Sequence, residues 1–206
     1  MAETCSGFSG LCPADAFAEG TACDDGDPCT VGDLCHEKTC AGQVPAPGPV
    51  CRTAKRATLA LSRPAKASRR TLTWRWTGAA AVGRADFGDP TTTTAVGFCL
   101  LSGTEPVARL AVAAGGHWKA RKKTFAYRDR ARAAAGVGQI LLMSGAAGKA
   151  KIVVAAGGAG LDVPLPLTLP LTARLQRADG VACWESPLAV TKNDARRLKA
   201  HSPSAK

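Results

Sequence analysis

Seven of the nine cysteines of this 206-residue chain (Cys5, Cys12, Cys23, Cys29, Cys35, Cys40 and Cys51) crowd into its first 52 residues. No other feature restricts the fold as strongly. A segment of that density holds too little apolar surface for a core, so cross-links or a metal must fix it, and a reducing compartment would leave its loops open. The pattern implies an extracellular or cell-surface protein. The start Met1-Ala2-Glu3-Thr4-Cys5 has neither a basic nor an apolar leader region, so the chain reads as the mature part, or a fragment, of an exported protein. No uncharged, strongly apolar run approaches the roughly 18 residues of a transmembrane helix.

Charge divides the chain in the same place. Residues 1–52 carry eight acids and two bases, residues 53–206 eight acids and 25 bases, so the net +11 averages −6 and +17. The 46% apolar content is inflated by 40 Ala, but 28 of the 38 Leu, Ile, Val and Phe, and all four Trp, lie in 71–190. Only that second part can bury a core. The expected fold class is mainly β: a small disulfide-rich irregular module (1–42), a Pro-rich then basic linker (43–56), an antiparallel β-sandwich (57–190), and a short helix with a frayed tail (191–206).

In the module, Gly26, Pro28, Gly32 and Gly42 alternate with the cysteines, which is turn chemistry. Seven cysteines cannot all pair internally, and Cys5 or Cys51 at the edges is the expected odd member. Zinc would need two close ligand pairs, and only Cys35 and Cys40 with His36 come near that. Asp24, Asp25, Asp27 and Asp33 offer hard oxygens for a weak calcium loop. An EF-hand is excluded, because with Asp25 at position 1 the sharp-turn position is Thr30 and the bidentate position His36. The alternative use of these side chains is to close Asx-turns on nearby amides.

The run Leu11-Cys12-Pro13-Ala14-Asp15-Ala16-Phe17, with Gly20-Thr21-Ala22-Cys23 and then Cys29, Cys35 and Cys40, resembles the disintegrin-like and cysteine-rich repeats of reprolysin-type metalloprotease ectodomains. That resemblance implies adhesion or substrate presentation. It brings no protease activity, since the chain has no His-Glu-x-x-His. Cys23-Asp-Asp-Gly-Asp-Pro-Cys29-Thr30 is also similar to short disulfide repeats of exported proteins of environmental bacteria. Further on, Trp74-x-Trp76, Phe87-Gly-Asp-Pro-Thr-Thr-Thr-Thr94, Phe98-Cys99 and Cys183-Trp184-Glu185 resemble an uncharacterised β domain of exported bacterial proteins, which implies no assigned activity.

Within the second part, 71–77 alternates with Leu72, Trp74 and Trp76 on one face and Thr or Arg on the other, the period of a half-buried strand. Further strands are expected at 95–102, 106–113, 124–128, 138–143, 149–155, 171–177 and 181–186, with a shorter strand-like piece at 58–61. Residues 161–171 carry three Pro alternating with Leu and suit an extended connector. Cys99 and Cys183 fall in expected strands and are expected to bridge each other. Lys192-Asn193-Asp194 reads as the cap of the terminal helix.

Catalysis finds no footing. The only histidines are His36, His117 and His201, and nucleophile-elbow, phosphate-loop and dinucleotide motifs are missing. Asp86 and Asp89 lie too close together in sequence to face each other across a cleft. The stretch 117–132 interleaves Lys119, Arg121, Lys122, Lys123, Arg128, Arg130 and Arg132 with Trp118, Phe125 and Tyr127. Such a run either contacts phosphates and stacks bases, or is a strand alternating buried aromatics with solvated bases. The functional expectation is a non-enzymatic surface-binding or structural protein whose partner is a surface protein or glycan. The alternative is a polyanion binder, for acidic polysaccharide more than nucleic acid.

Overall fold

The computed structural model of the protein describes residues 19–44, 51–180 and 182–203. Thirteen strands account for most of them: β1 Val31–His36, β2 Thr39–Gln43, β3 Arg52–Ser62, β4 Thr71–Gly78, β5 Val96–Ser102, β6 Glu105–Val112, β7 Trp118–Ala120, β8 Thr124–Arg128, β9 Val137–Met143, β10 Lys151–Gly157, β11 Leu171–Arg177, β12 Cys183–Asn193 and β13 Arg197–His201. Two single 3₁₀ turns, Ala67–Arg69 and Ala85–Phe87, are the only helical pieces among the described residues. The protein is mainly β, as the alternation and turn spacing require.

β1 and β2 form a hairpin of their own. The other eleven strands make one continuous sheet in the order β6-β5-β11-β12-β13-β3-β4-β10-β9-β8-β7. All its neighbours are antiparallel except a short parallel contact in which Trp184 and Glu185 of β12 meet Arg52 and Thr53 of β3. β3 and β12, eleven residues each, are where the sheet bends. The first part of β12 pairs with β11 and its end, from Ala189, with β13, so one strand serves two directions.

The bend folds two wings toward each other over a single core. Trp74 of β4 meets Phe98 of β5 with ring centroids 5.4 Å apart, and its Nε1 donates to Ser186 Oγ of β12 at 3.0 Å. Trp76 Nε1 donates to the Glu185 carbonyl at 3.1 Å. Buried indoles tolerate a dry core when their N–H groups find an acceptor, and each contributes about 2 to 3 kcal/mol of burial. Leu72, Val96, Leu100, Ile140, Ile152, Val154, Leu175 and Trp184 complete the packing.

Four expectations change. One continuous curled sheet stands in place of the two separate sheets of a sandwich. Residues 52–56, expected as linker, are the start of β3. The expected terminal helix is the end of β12 and all of β13: Leu198 and Ala200 are buried while Arg197, Lys199 and His201 are exposed, a period of two rather than 3.6. The cap-like Asp194 instead closes the β12–β13 turn, its Oδ1 accepting from the amides of Arg196 and Arg197.

The fourth change concerns sulfur. Cys99 and Cys183 do not bridge each other; Cys99 pairs with Cys29 and Cys183 with Cys51. Cys51 is therefore not the odd cysteine, and Cys5 lies outside the described residues. Cys40 is bridged to Cys23 and Cys35 is disulfide-bonded too, which rules out the zinc grouping. Cys99 and Cys183 sit on the outward faces of β5 and β12, so neither points into the core. Trp184, on the inward face of β12, packs on Phe87 at 4.9 Å between ring centroids.

These pairings make the cysteine-rich segment a layer on the outer face of the β6-β5-β11-β12 wing. β5 is buried along most of its length: Val96, Phe98 and Leu100 face the core, while Gly97, Cys99 and Leu101 face the layer. Gly97 is required there, because a Cβ would stand 2.7 Å from the Pro28 carbonyl oxygen. Gln176 Nε2 of β11 donates to the Thr30 carbonyl at 3.1 Å, and Arg109 of β6 pairs with Asp27 at 2.7 Å.

Candidate functional site

The layer holds a cluster of acids. Asp24, Asp25 and Asp33 place carboxylate oxygens within 4.8 Å of one another. Asp27 is diverted to Arg109. Asp24, Asp25 and Asp27 each accept from the amide two residues on, those of Gly26, Asp27 and Cys29, at 2.8, 2.8 and 2.9 Å. Three successive Asx-turns are thus built into Asp-Asp-Gly-Asp-Pro-Cys. Asp25 also takes the Thr30 hydroxyl and the Gly42 amide. Asp33 Oδ2 accepts from the Asp25 amide, while Asp33 Oδ1 is buried without a hydrogen-bond partner among the described residues. Burial pushes the Asp33 carboxyl up, and the charges of Asp25 and Asp24 add to the rise. A calcium ion takes six to eight oxygens, and of these residues Asp24, Asp25 and Asp33 are the ones placed to supply some of them.

The other expected acids and imidazoles have structural uses. Asp86 pairs with Arg52 at 2.9 Å and accepts the Gly83 amide. Asp89 accepts the amide and hydroxyl of Thr91, which hold its carboxyl below the usual range. His36 is hydrogen-bonded to Glu19, which raises the imidazole and lowers the carboxyl.

The bases gather on the opposite wing, whose outer face is formed by β13-β3-β4-β10-β9-β8-β7. Of the expected run, Lys119, Arg121 and Arg128 stand around a hollow of about 600 Å³ with His117, Thr124, Ala126 and Leu141. Lys122 and Lys123 form the two-residue tip of the β7–β8 hairpin, closed by the reciprocal backbone bonds of Arg121 and Thr124. Arg130 is exposed in the loop that follows. Arg132 turns back along Gly138, Gly157 and Gly158, so it does not join the hollow. Trp118, Phe125 and Tyr127 are 5%, 0% and 3% exposed and offer no face for stacking. The same alternation that buries them aligns the bases outside.

Sequence reasoning missed the rest of this face. The strand registers align Lys119, Ala126, Leu141, Val153, Arg75, Thr58 and His201 in one row across seven strands. Lys151 and Arg56 occupy the row on one side, both opposite Thr77. Arg128 and Lys199 lie in the row on the other side, with Arg197 one row beyond. All seven bases are exposed, none forms an ion pair among the described residues, and no outward position on these strands carries Asp or Glu. The only sequence signal was the outward phase of single strands, as with Arg75 between Trp74 and Trp76.

Asp129, at the end of β8, is the carboxylate nearest the hollow in sequence, and it is turned inward. It accepts from the amides of Ala133 at 2.7 Å and Ala131 at 2.8 Å, which lower its carboxyl below the usual carboxylate range. The adjacent Tyr127 phenol is pushed up by burial and by the Asp129 charge. No family model, curated protein or solved structure matches the chain.

Proposed function

We propose that the protein is a non-enzymatic binder of acidic polymers, and that the outer face of the β13-to-β7 wing is the binding surface. The observation that carries this reading is the acid-free face itself, with Arg56, Arg75, Lys119, Arg128, Lys151, Arg197 and Lys199 exposed on six strands and without internal counter-charges. A surface of one sign over a dry sheet raises the local concentration of polyanions and speeds their capture. Glu19, Asp24, Asp25, Asp27, Asp33 and Glu37 belong to the disulfide-tied layer, on the other wing from this face.

Acidic polysaccharide is favoured over nucleic acid. Single-stranded binders stack bases on exposed aromatic rings, and the aromatics of β7 and β8 are buried. The bridges Cys23–Cys40, Cys29–Cys99 and Cys51–Cys183 also belong to a compartment that does not reduce them, which supports a partner met outside the cytoplasm. No transmembrane helix is present among the described residues.

The test is equilibrium binding to a highly sulfated glycosaminoglycan, to polygalacturonate and to duplex DNA at about 50 and 200 mM salt. Wild type is compared with Arg75→Glu/Lys119→Glu/Lys151→Glu. The expected result is polysaccharide binding that weakens steeply with salt and falls about tenfold or more in the variant. Absence of polysaccharide binding, or binding indifferent to the three reversals, would overturn the proposal.

A further inference from the structure

The basic face is not uniform. At its β7 edge the bases surround the 600 Å³ hollow. β8 contributes the small Thr124 and Ala126 to the outward row, and Leu141 of β9 lines it beside them. On edge strand β7 and its flanks, His117, Lys119 and Arg121 recur every second residue, which spaces them about 7 Å apart along one face. Arg128 joins them through the backbone bond of its amide to the His117 carbonyl, 3.1 Å.

Resting on the polymer-binding reading above, we propose that this hollow is an anchoring subsite for one oxyanion substituent of an acidic sugar, with the glycan running from it across the strands toward Arg75. The Thr124 hydroxyl can donate to the oxyanion, and the forked guanidinium groups of Arg121 and Arg128 match the oxygens of a sulfate or carboxylate. Among the described residues no carboxylate lines the hollow, and Asp129 accepts from the amides of Ala131 and Ala133.

The direction follows from the surface relief. Along the row from Lys119, the outward positions are Ala126, Leu141 and Val153 before the next base, Arg75. These half-buried aliphatic groups form a low floor on which the apolar edges of sugar rings can lie. Four strand-to-strand steps separate Lys119 from Arg75, about 19 Å. A ligand filling only the hollow cannot reach Arg75, whereas a longer chain can.

That difference in reach supplies the test. Calorimetric titration with a sulfated glycosaminoglycan disaccharide and decasaccharide is run on wild type, Lys119→Ala/Arg121→Ala/Arg128→Ala, Arg75→Ala and Arg197→Ala/Lys199→Ala. The three sets are exposed, so unchanged melting temperatures serve as the fold control. The hollow triple should weaken both ligands by about tenfold or more, and Arg75→Ala the decasaccharide alone by about threefold, with under about twofold for Arg197→Ala/Lys199→Ala. A decagalacturonate arm shows whether carboxylate or sulfate is the preferred oxyanion. If the decasaccharide binds but every set weakens it only in proportion to the number of bases removed, the subsite is refuted and the broad electrostatic reading stands. If wild type binds neither the decasaccharide nor the decagalacturonate, the underlying reading fails as well.

Discussion

Replacing Cys29 and Cys99 together by alanine removes the bridge that ties the cysteine-rich layer to β5. The bridge spans a sequence separation of 70 residues. Loop-closure entropy for a ring of that size stabilises the folded state by about 4.4 kcal/mol at 25 °C, and the overlapping Cys51–Cys183 ring lowers this only to about 4 kcal/mol. Both sulfurs and Leu101 are buried together, so the lost contact adds to the entropic loss. In urea, with the other bridges intact, the extrapolated unfolding free energy should fall by about 4 kcal/mol with a single transition retained. The melting temperature should drop by about 8 to 16 °C. A module merely tethered to an independent β domain would behave differently. Its loss would leave the sheet's stability within about 1 kcal/mol of wild type and separate the unfolding into two transitions. Either observation would refute the layered architecture.

Three further outcomes follow from particular contacts. Gly97→Ala should cost about 1 to 3 kcal/mol, because its methyl must displace the Pro28 backbone rather than a flexible side chain; a neutral effect in urea unfolding would mean that the layer does not sit where Gly97 allows it. Arg174→Met should cost about 3 to 5 kcal/mol by stranding the buried Glu185 carboxylate, whereas Arg174→Met/Glu185→Leu should recover most of that loss, and a double variant as unstable as the single one would contradict the pairing. Asp33→Asn, measured in the presence of a chelator, should raise the melting temperature at pH 7. The sign follows from the raised carboxyl of Asp33: the folded state favours its protonated form, so the penalty of the charge is full above the folded pKa and disappears below the unfolded value of about 4. A gain that persists unchanged at pH 3 would show that burial of the charge is not its cause.

Strand identity was legible wherever side chains alternate strongly. Thr71–Gly78 carries Leu72, Trp74 and Trp76 inward, and all seven further expected strands of the sheet are present within a few residues of their expected bounds except β12, which runs on to Asn193. β13 was missed because its inward pair, Leu198 and Ala200, is too small a signal beside the cap-like Asn193 and Asp194, and three-residue β7 is too short to show a period. The disulfide partners were illegible for a different reason. Local spacing does not encode which outward strand position lies beneath a loop, and Cys29 meets Cys99 where Pro28 lies over Gly97 on the outer face of β5.

The candidate site divides in the same way. Its densest part, Lys119 to Arg128, is continuous in sequence and visible there, and of the two readings of that stretch the alternating strand is the one the structure bears out, with the aromatics in the core and the bases outside. Arg56, Arg75, Lys151, Arg197 and Lys199 join that face only through a strand order that is not sequential. A count of charges along the chain gives +17 for the second part without saying that one wing is free of outward acids.

The most direct measurement is a lysine footprint: brief acetylation with and without the sulfated decasaccharide, read residue by residue by mass spectrometry. Lys119 and Lys151 should be protected, while Lys199 at the far side of the wing, Lys38 in the β1–β2 turn and Lys66 before the Ala67–Arg69 turn react as before. Protection spread evenly over all five, or confined to Lys38 and Lys66, would contradict the assignment of the outer face of the β13-to-β7 wing as the binding surface.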